Sequence, residues 1–225
     1  ALLAALERFR FRVDAVLDTG VPCIEVWGPG SAGVLEAAGA PAPDGWVGTG
    51  EGVVAAVPMG TLPRFLVPAA LAPAIEEAGA RCCGTVAATT VRIEAGQPLM
   101  GVDVDEGTIP QESGLVPEAV SFTKGCYLGQ ELVARIDSRG RVNRVLRTVV
   151  LEEAVIPPEG AVVVADDRDA GVLTSVGESL TVRAPIALAM VHRQTEPGDA
   201  VEVRWTGGSA AARVAEVPLD DFAGG

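Results

Sequence analysis

Ser121-Phe122-Thr123-Lys124-Gly125-Cys126-Tyr127-Leu128-Gly129-Gln130-Glu131-Leu132-Val133-Ala134-Arg135 holds the single lysine and the single tyrosine of a 225-residue chain, together with one of its four cysteines. Every other basic residue is an arginine. Three scarce and chemically versatile side chains in the tetrapeptide Lys124-Gly125-Cys126-Tyr127 mark a site. From Leu128 onward the stretch reads as the start of a helix, with Arg135 one turn after Glu131 on the same face. A nearby cation and a helix start both favour the nucleophilic form of a thiol, so Cys126 is expected to react and Lys124 to assist it. The bland alternatives are a buried structural thiol and a solvated Glu131–Arg135 pair worth about a few tenths of a kcal/mol.

Working outward, residues 124–147 carry Lys124, Arg135, Arg139, Arg141, Arg144 and Arg147 against Glu131 and Asp137, a local charge of +4 within a chain of net charge −13. The molecule as a whole therefore lacks the field for generic nucleic-acid or anionic-membrane binding, and no direct nucleic-acid binding is expected. After Asn143 the chain breaks into short β-rich runs separated by Gly, Pro and acidic turns: 145–151, 161–165, 171–176, 186–191, 200–205 and 211–217. Six short strands at that spacing predict a small antiparallel barrel or sandwich. Before the basic segment the pattern is mixed. A helix is expected over 1–8, strands over 9–15, 23–27, 53–58 and 65–67, and helical stretches over 31–38, 68–78 and 85–94, with loop over 40–50. The fold class is thus α+β, with an α+β body over 1–142 and a β-barrel over 143–225.

No apolar run approaches the roughly 18 to 20 residues of a membrane span. Leu2 to Leu6 is too short for a secretory h-region, and its charges follow rather than precede it, so no signal peptide is expected. Four cysteines without CxxC spacing, and one histidine, offer neither a disulfide framework nor a metal site, which fits a reducing cytoplasm. Cys82 and Cys83 are read as two buried small residues, because a disulfide between neighbours strains the peptide between them. His192 is read as a surface residue. Gly28-Pro29-Gly30-Ser31-Ala32-Gly33 matches GxGxxG, but no acidic strand end follows about 20 residues on, so a simple turn capped by Ser31 is preferred over a dinucleotide cradle.

The quoted stretch resembles the KGCYxGQE signature of the folate-binding YgfZ-type proteins, relatives of the glycine-cleavage T-protein (aminomethyltransferase). The resemblance continues at Val91-Arg92-Ile93-Glu94-Ala95-Gly96 (LRIEAG in the family), Thr108 to Glu112 (an IPxE turn), and the barrel runs 171–175 and 186–189. Residues 1–14 resemble a LLxxLxxFxxRxxV stretch from the middle of the family sequence, which implies that a family N-terminal portion of the order of a hundred residues lies outside this sequence, through truncation, proteolysis or disorder.

The resemblance implies a T-protein-like body around a tetrahydrofolate cavity, followed by a β-barrel. Glu94 would meet the pterin, a carboxylate being able to accept two N–H bonds from its aminopyrimidine edge. Arg92, Tyr127, Gln130, Glu131 and Arg135 would complete the cofactor site, and arginines would meet the folate carboxylates. The working centre would be Cys126 with Lys124, beside a cavity. The function implied is an accessory role in assembly or repair of iron–sulfur enzymes, tRNA-modifying ones included, with folate and those client proteins as partners and the protein itself a monomer. A single thiol holds no cluster alone, so Cys126 would be a nucleophile, a redox thiol or one shared ligand. The alternative is an aminomethyltransferase that moves a one-carbon unit from a protein-bound aminomethyl group to tetrahydrofolate; the cofactor implied is tetrahydrofolate or a one-carbon derivative of it.

Overall fold

The structure, a computed structural model, describes residues 2–8, 20–127 and 129–219. It forms two compact units: residues 1–58 with 63–82, and residues 59–62 with 83–225. Segment 83–142, grouped by its sequence pattern with the first 82 residues, packs in the same unit as the barrel.

The first unit opens with helix α1 (Leu2–Glu7); the strand expected over 9–15 lies outside the described residues. Strands β1 (Cys23–Trp27), β2 (Trp46–Thr49), β3 (Gly52–Ala56) and β4 (Arg64–Pro68) form an antiparallel sheet in the order β1-β4-β3-β2. Helices α2 (Ser31–Ala37) and α3 (Ala72–Glu77) supply Leu35 and Ile75 to a core with Val26, Val54, Phe65 and Val67. Two sequence expectations need correction here. Residues 46–49, expected as loop, are β2, because the two residues Gly50 and Glu51 close a hairpin that pairs Thr49 with Gly52. Ser31 does not cap α2 either. It is already the first helical residue, the cap position is Gly30, and the buried Ser31 hydroxyl has no partner.

The second unit is built on a closed barrel of six antiparallel strands, β5 (Arg144–Leu151), β6 (Val162–Ala165), β7 (Arg168–Ser179), β8 (Ala184–His192), β9 (Ala200–Trp205) and β10 (Gly208–Ala215), in the order β10-β5-β8-β7-β6-β9. Closure removes the exposed edges an open sheet would present. The runs expected at 161–165 and 171–176 are continuous through a two-residue hairpin. Asp166 and Asp167 both take positive φ (49° and 58°), the geometry of a turn that matches the twist of the flanking strands. Strand β8 is buried on both faces. Ala187, Ala189 and Val191 point into the barrel with Leu173, Val203 and Val214, whereas Ile186, Leu188 and Met190 point outward and pack on Ile93.

Helix α4 (Thr85–Glu94) covers that outer face. It ends because Gly96 adopts φ +66°, so that the Gly96 and Gln97 N–H groups close back on the carbonyls of Ile93 and Arg92. Short elements follow: a 3₁₀ turn over Pro110–Glu112, helix α5 (Val116–Ala119) and helix α6 (Gln130–Arg139). The chain is led into the 3₁₀ turn by Asp105. The Thr108 hydroxyl and then the Gly107 N–H bind its carboxylate and hold its pKa below the usual range.

One wall contact makes the barrel intolerant of bulk. A Cβ added at Gly171 would lie 2.3 Å from the Met190 carbonyl oxygen and 2.7 Å from Val191 Cα, backbone atoms that cannot turn aside. Gly171→Ala is expected to lower stability by about 3 kcal/mol, the upper range for overpacking, measured as a shift of the thermal unfolding midpoint.

Candidate functional site

The sequence singled out two groups of residues, one in the loop 121–127 with helix α6 and one at the end of α4. The loop is organised by local hydrogen bonds. The Ser121 hydroxyl accepts from the Lys124 N–H at 3.2 Å, and the Gln130 Oε1 reaches back to accept the Tyr127 N–H at 3.0 Å. Gln130 therefore joins the loop to the first turn of α6, much as an acidic or amide side chain does in a capping box. Gly129 takes φ +84°, a turn that a residue with a Cβ resists, whereas Gly125 takes no positive φ. The Lys124 Nζ sits 4.6 Å from the centroid of the Tyr127 ring. A cation–π contact of this kind is worth about 0.5–1 kcal/mol at an exposed site.

Cys126 is exposed, as a working thiol must be. So are Cys23, Cys82 and Cys83, which corrects the expectation of a buried Cys82–Cys83 pair. That pair precedes α4 in a stretch without regular structure. His192 is exposed at the end of β8. On α6, Glu131 and Arg135 are exposed while Val133 is buried, and the Gln111 Nε2 donates to the Val133 carbonyl at 2.9 Å, fastening α6 to the 3₁₀ turn. The positive charge of the basic segment is partly taken up within the unit: Arg144 lies 3.3 Å from Glu112, and Arg147 3.8 Å from Glu216.

The end of α4 is a different environment. Glu94, its last residue, is 3% exposed, and its Oε1 accepts a hydrogen bond from the Ser179 hydroxyl at the end of β7. Arg92 is committed to protein partners. Its Nη1 pairs with Asp103 and donates to the Gln97 carbonyl at 2.9 Å, and its Nη2 donates to the Ser175 Oγ at 2.6 Å. Asp103 is wholly buried. Its carboxylate also accepts from the Leu99 N–H at 2.8 Å, the Ser175 hydroxyl at 2.7 Å and the Thr174 hydroxyl.

Two adjacent hydroxyls on one strand reach the same carboxylate because β7 is irregular between Leu173 and Ser175. In regular β structure residues 174 and 175 would face opposite sides, and the bulge re-aims one of them. Asp103 and Ser179 were missed from sequence. The available signal for Asp103 is a lone carboxylate within Leu99-Met100-Gly101-Val102-Asp103-Val104, where burial demands a partner.

The structure thus brings Arg92 and Glu94 onto one helix end, and Lys124, Cys126, Tyr127 and Gln130 into one loop. An open depression of about 470 Å³ is lined by Gln111, Ile136, Asp137, Gly140, Arg141, Val142 and Arg193, at the C-terminal end of α6, and none of the residues expected to bind cofactor lines it. Among the described residues, no helix is long and apolar enough to cross a membrane.

Comparison with known proteins fixes the relationship. Residues 144–221 match the family model of the glycine cleavage T-protein C-terminal barrel domain. The chain is a relative of the glycine-cleavage T-proteins. It is 34% identical to the aminomethyltransferase of Symbiobacterium thermophilum over 152 residues, 67% of this chain and 40% of that protein. It is 32% identical to that of Geobacillus kaustophilus over 156 residues, 67% of this chain and 43% of that protein. A crystal structure of glycine cleavage system aminomethyltransferase T from Bartonella henselae superposes with a TM-score of 0.74 at 21% identity, covering 97% of this chain and 65% of that one. The T-protein-like fold with its six-stranded C-terminal barrel is therefore shared. The chain spans about two fifths of the length of these curated T-protein relatives.

Proposed function

We propose that this chain is the folate-binding part of an aminomethyltransferase-type protein, taking tetrahydrofolate or a one-carbon derivative of it. The observation that carries the proposal is Glu94, a carboxylate 3% exposed at the end of α4 in a T-protein-like fold, with one oxygen held by Ser179. A planar heterocycle with an aminopyrimidine edge offers paired N–H donors to such a group, and in a water-poor setting a charge-assisted hydrogen bond is worth more than in solvent. Arg92 is turned toward Asp103, Ser175 and Gln97, so the proposal rests on Glu94 and not on Arg92. The names of the relatives favour group transfer to tetrahydrofolate as the activity. In calorimetry the natural full-length polypeptide should bind tetrahydrofolate at submillimolar concentration, and Glu94→Ala should weaken binding at least about tenfold, as expected for loss of a hydrogen bond to a charged group. Unchanged affinity in that variant would remove Glu94 from the site.

A second role is favoured by a separate observation, the exposed Cys126 in a loop shaped by Lys124, Tyr127 and Gln130. This thiol, in the same loop as Lys124, is a separate feature from the Glu94 carboxylate. It suits an accessory protein that meets client iron–sulfur enzymes through Cys126, with folate as the bound cofactor.

A further inference from the structure

We propose that Ser179 is a positioning residue for Glu94, fixing the orientation in which its carboxylate is presented to the ligand; this rests on the folate reading of Glu94 given above. A serine hydroxyl has one proton to donate and lone pairs to accept. At Ser179 the Val182 N–H donates to Oγ at 3.1 Å, which leaves the single hydroxyl proton for Glu94 Oε1. Ser179 is fully buried, so no water competes for that proton. Its own place is set by the barrel: Ser179 is the last residue of β7, paired with Ala184 of β8, and the hairpin between them brings the Val182 N–H back onto it.

The Glu94 carboxylate is thereby pinned through Oε1, which leaves Oε2 and the second lone pair of Oε1 for the paired N–H donors of the ligand edge. The backbone at that point is fixed as well, since the Glu94 carbonyl accepts the Leu219 N–H at 3.0 Å. Ser175 and Ser179 lie on the same outward face of β7, opposite Leu188 and Ala184 of β8. They act on different partners: Ser175 serves the Arg92–Asp103 pair, Ser179 serves Glu94. That division separates a positioning role from general docking of α4 on the barrel.

The test is a double-mutant cycle on tetrahydrofolate affinity in the full-length polypeptide, with Ser179→Ala, Glu94→Gln and the double variant, and Ser175→Ala as the docking control. Ser179→Ala is expected to raise Kd about tenfold, while adding it to Glu94→Gln changes Kd less than twofold, because Ser179 acts only through the carboxylate. Ser175→Ala is expected to lower the unfolding midpoint and leave Kd within twofold. Ser179→Thr, which keeps the hydroxyl, should restore binding, and Ser179→Gly provides a second truncation if the alanine variant is poorly folded by circular dichroism. Additive losses at Ser179 and Glu94, or an equal loss in Ser175→Ala, would make Ser179 a structural contact and overturn the proposal while leaving folate binding intact. An effect of neither Glu94→Gln nor Ser179→Ala on a wild-type protein that binds would overturn it too. Absence of tetrahydrofolate binding in the wild type would instead sink the folate reading, and this proposal with it.

Discussion

Asp103→Ala is expected to destabilise the barrel-containing unit by about 3–5 kcal/mol, the cost of leaving the partner of a buried ion pair uncompensated. The Asp103 side chain is wholly buried and that of Arg92 only 12% exposed. Removal of the carboxylate strands the Arg92 guanidinium and also takes the acceptor from the Leu99 N–H and the Thr174 and Ser175 hydroxyls. Arg92→Leu should cost a comparable amount for the converse reason. The two losses should not add: Arg92→Leu with Asp103→Leu should recover part of the stability, since no charge is then left buried. Denaturant unfolding reports this directly. Trp205 is the only tryptophan of the second unit, and Trp27→Phe with Trp46→Phe would make its fluorescence the sole indole signal. A loss below about 1 kcal/mol for Asp103→Ala, the scale of an exposed pair, would show that the network is not what ties α4 and the 97–104 segment to β7.

Cys126→Ser is expected to separate binding from work. The side chain is exposed, so the exchange should leave stability within about 0.5 kcal/mol. Tetrahydrofolate affinity should stay within about twofold, because the exchange swaps one small side chain for another in an exposed loop. Under the accessory role, the variant should behave like the deletion when it replaces the native protein in cells, with client iron–sulfur enzymes losing activity as far as they do without it. Full support of those enzymes by Cys126→Ser would remove the thiol from the mechanism and leave transfer to tetrahydrofolate as the activity to assay. Normal transfer with failed iron–sulfur support would assign Cys126 to the second role alone.

Much of the barrel was legible because its strands obey local rules. The run 186–191 is apolar at every position since β8 is buried on both faces, whereas β10, with Ala210, Ala212 and Val214 in the barrel core, alternates between buried and exposed residues. The bounds of β6 and β7 were not legible. Asp166-Asp167 lacks the Gly or Asn that usually announces a turn with positive φ, so in sequence the hairpin looks like a gap between two runs. Strand β2 was hidden in the same way, by a Pro- and Gly-rich flank whose pairing with β3 only folding reveals. Exposure was the weakest inference. Cys82 and Cys83 look apolar in isolation, yet both are exposed, and burial is a property of neighbours rather than of residue type.

The sequence by itself determined the scarce-residue loop around Cys126, the helix that follows it, the six β runs, and the Arg92 to Gly96 segment, because composition, period and spacing are carried within a few consecutive residues. Tertiary structure alone decided what those residues touch. Arg92, expected at a cofactor, is spent on Asp103 eleven residues later and on Ser175 across the fold. Glu94 meets Ser179, eighty-five residues away in sequence. A bulge in β7 turns Thr174 and Ser175 onto one carboxylate. Each of these partners is set by closure of the barrel against α4, and the pairing of buried charges and hydroxyls over such separations leaves no periodic trace in the chain, since only the three-dimensional neighbours make the burial tolerable.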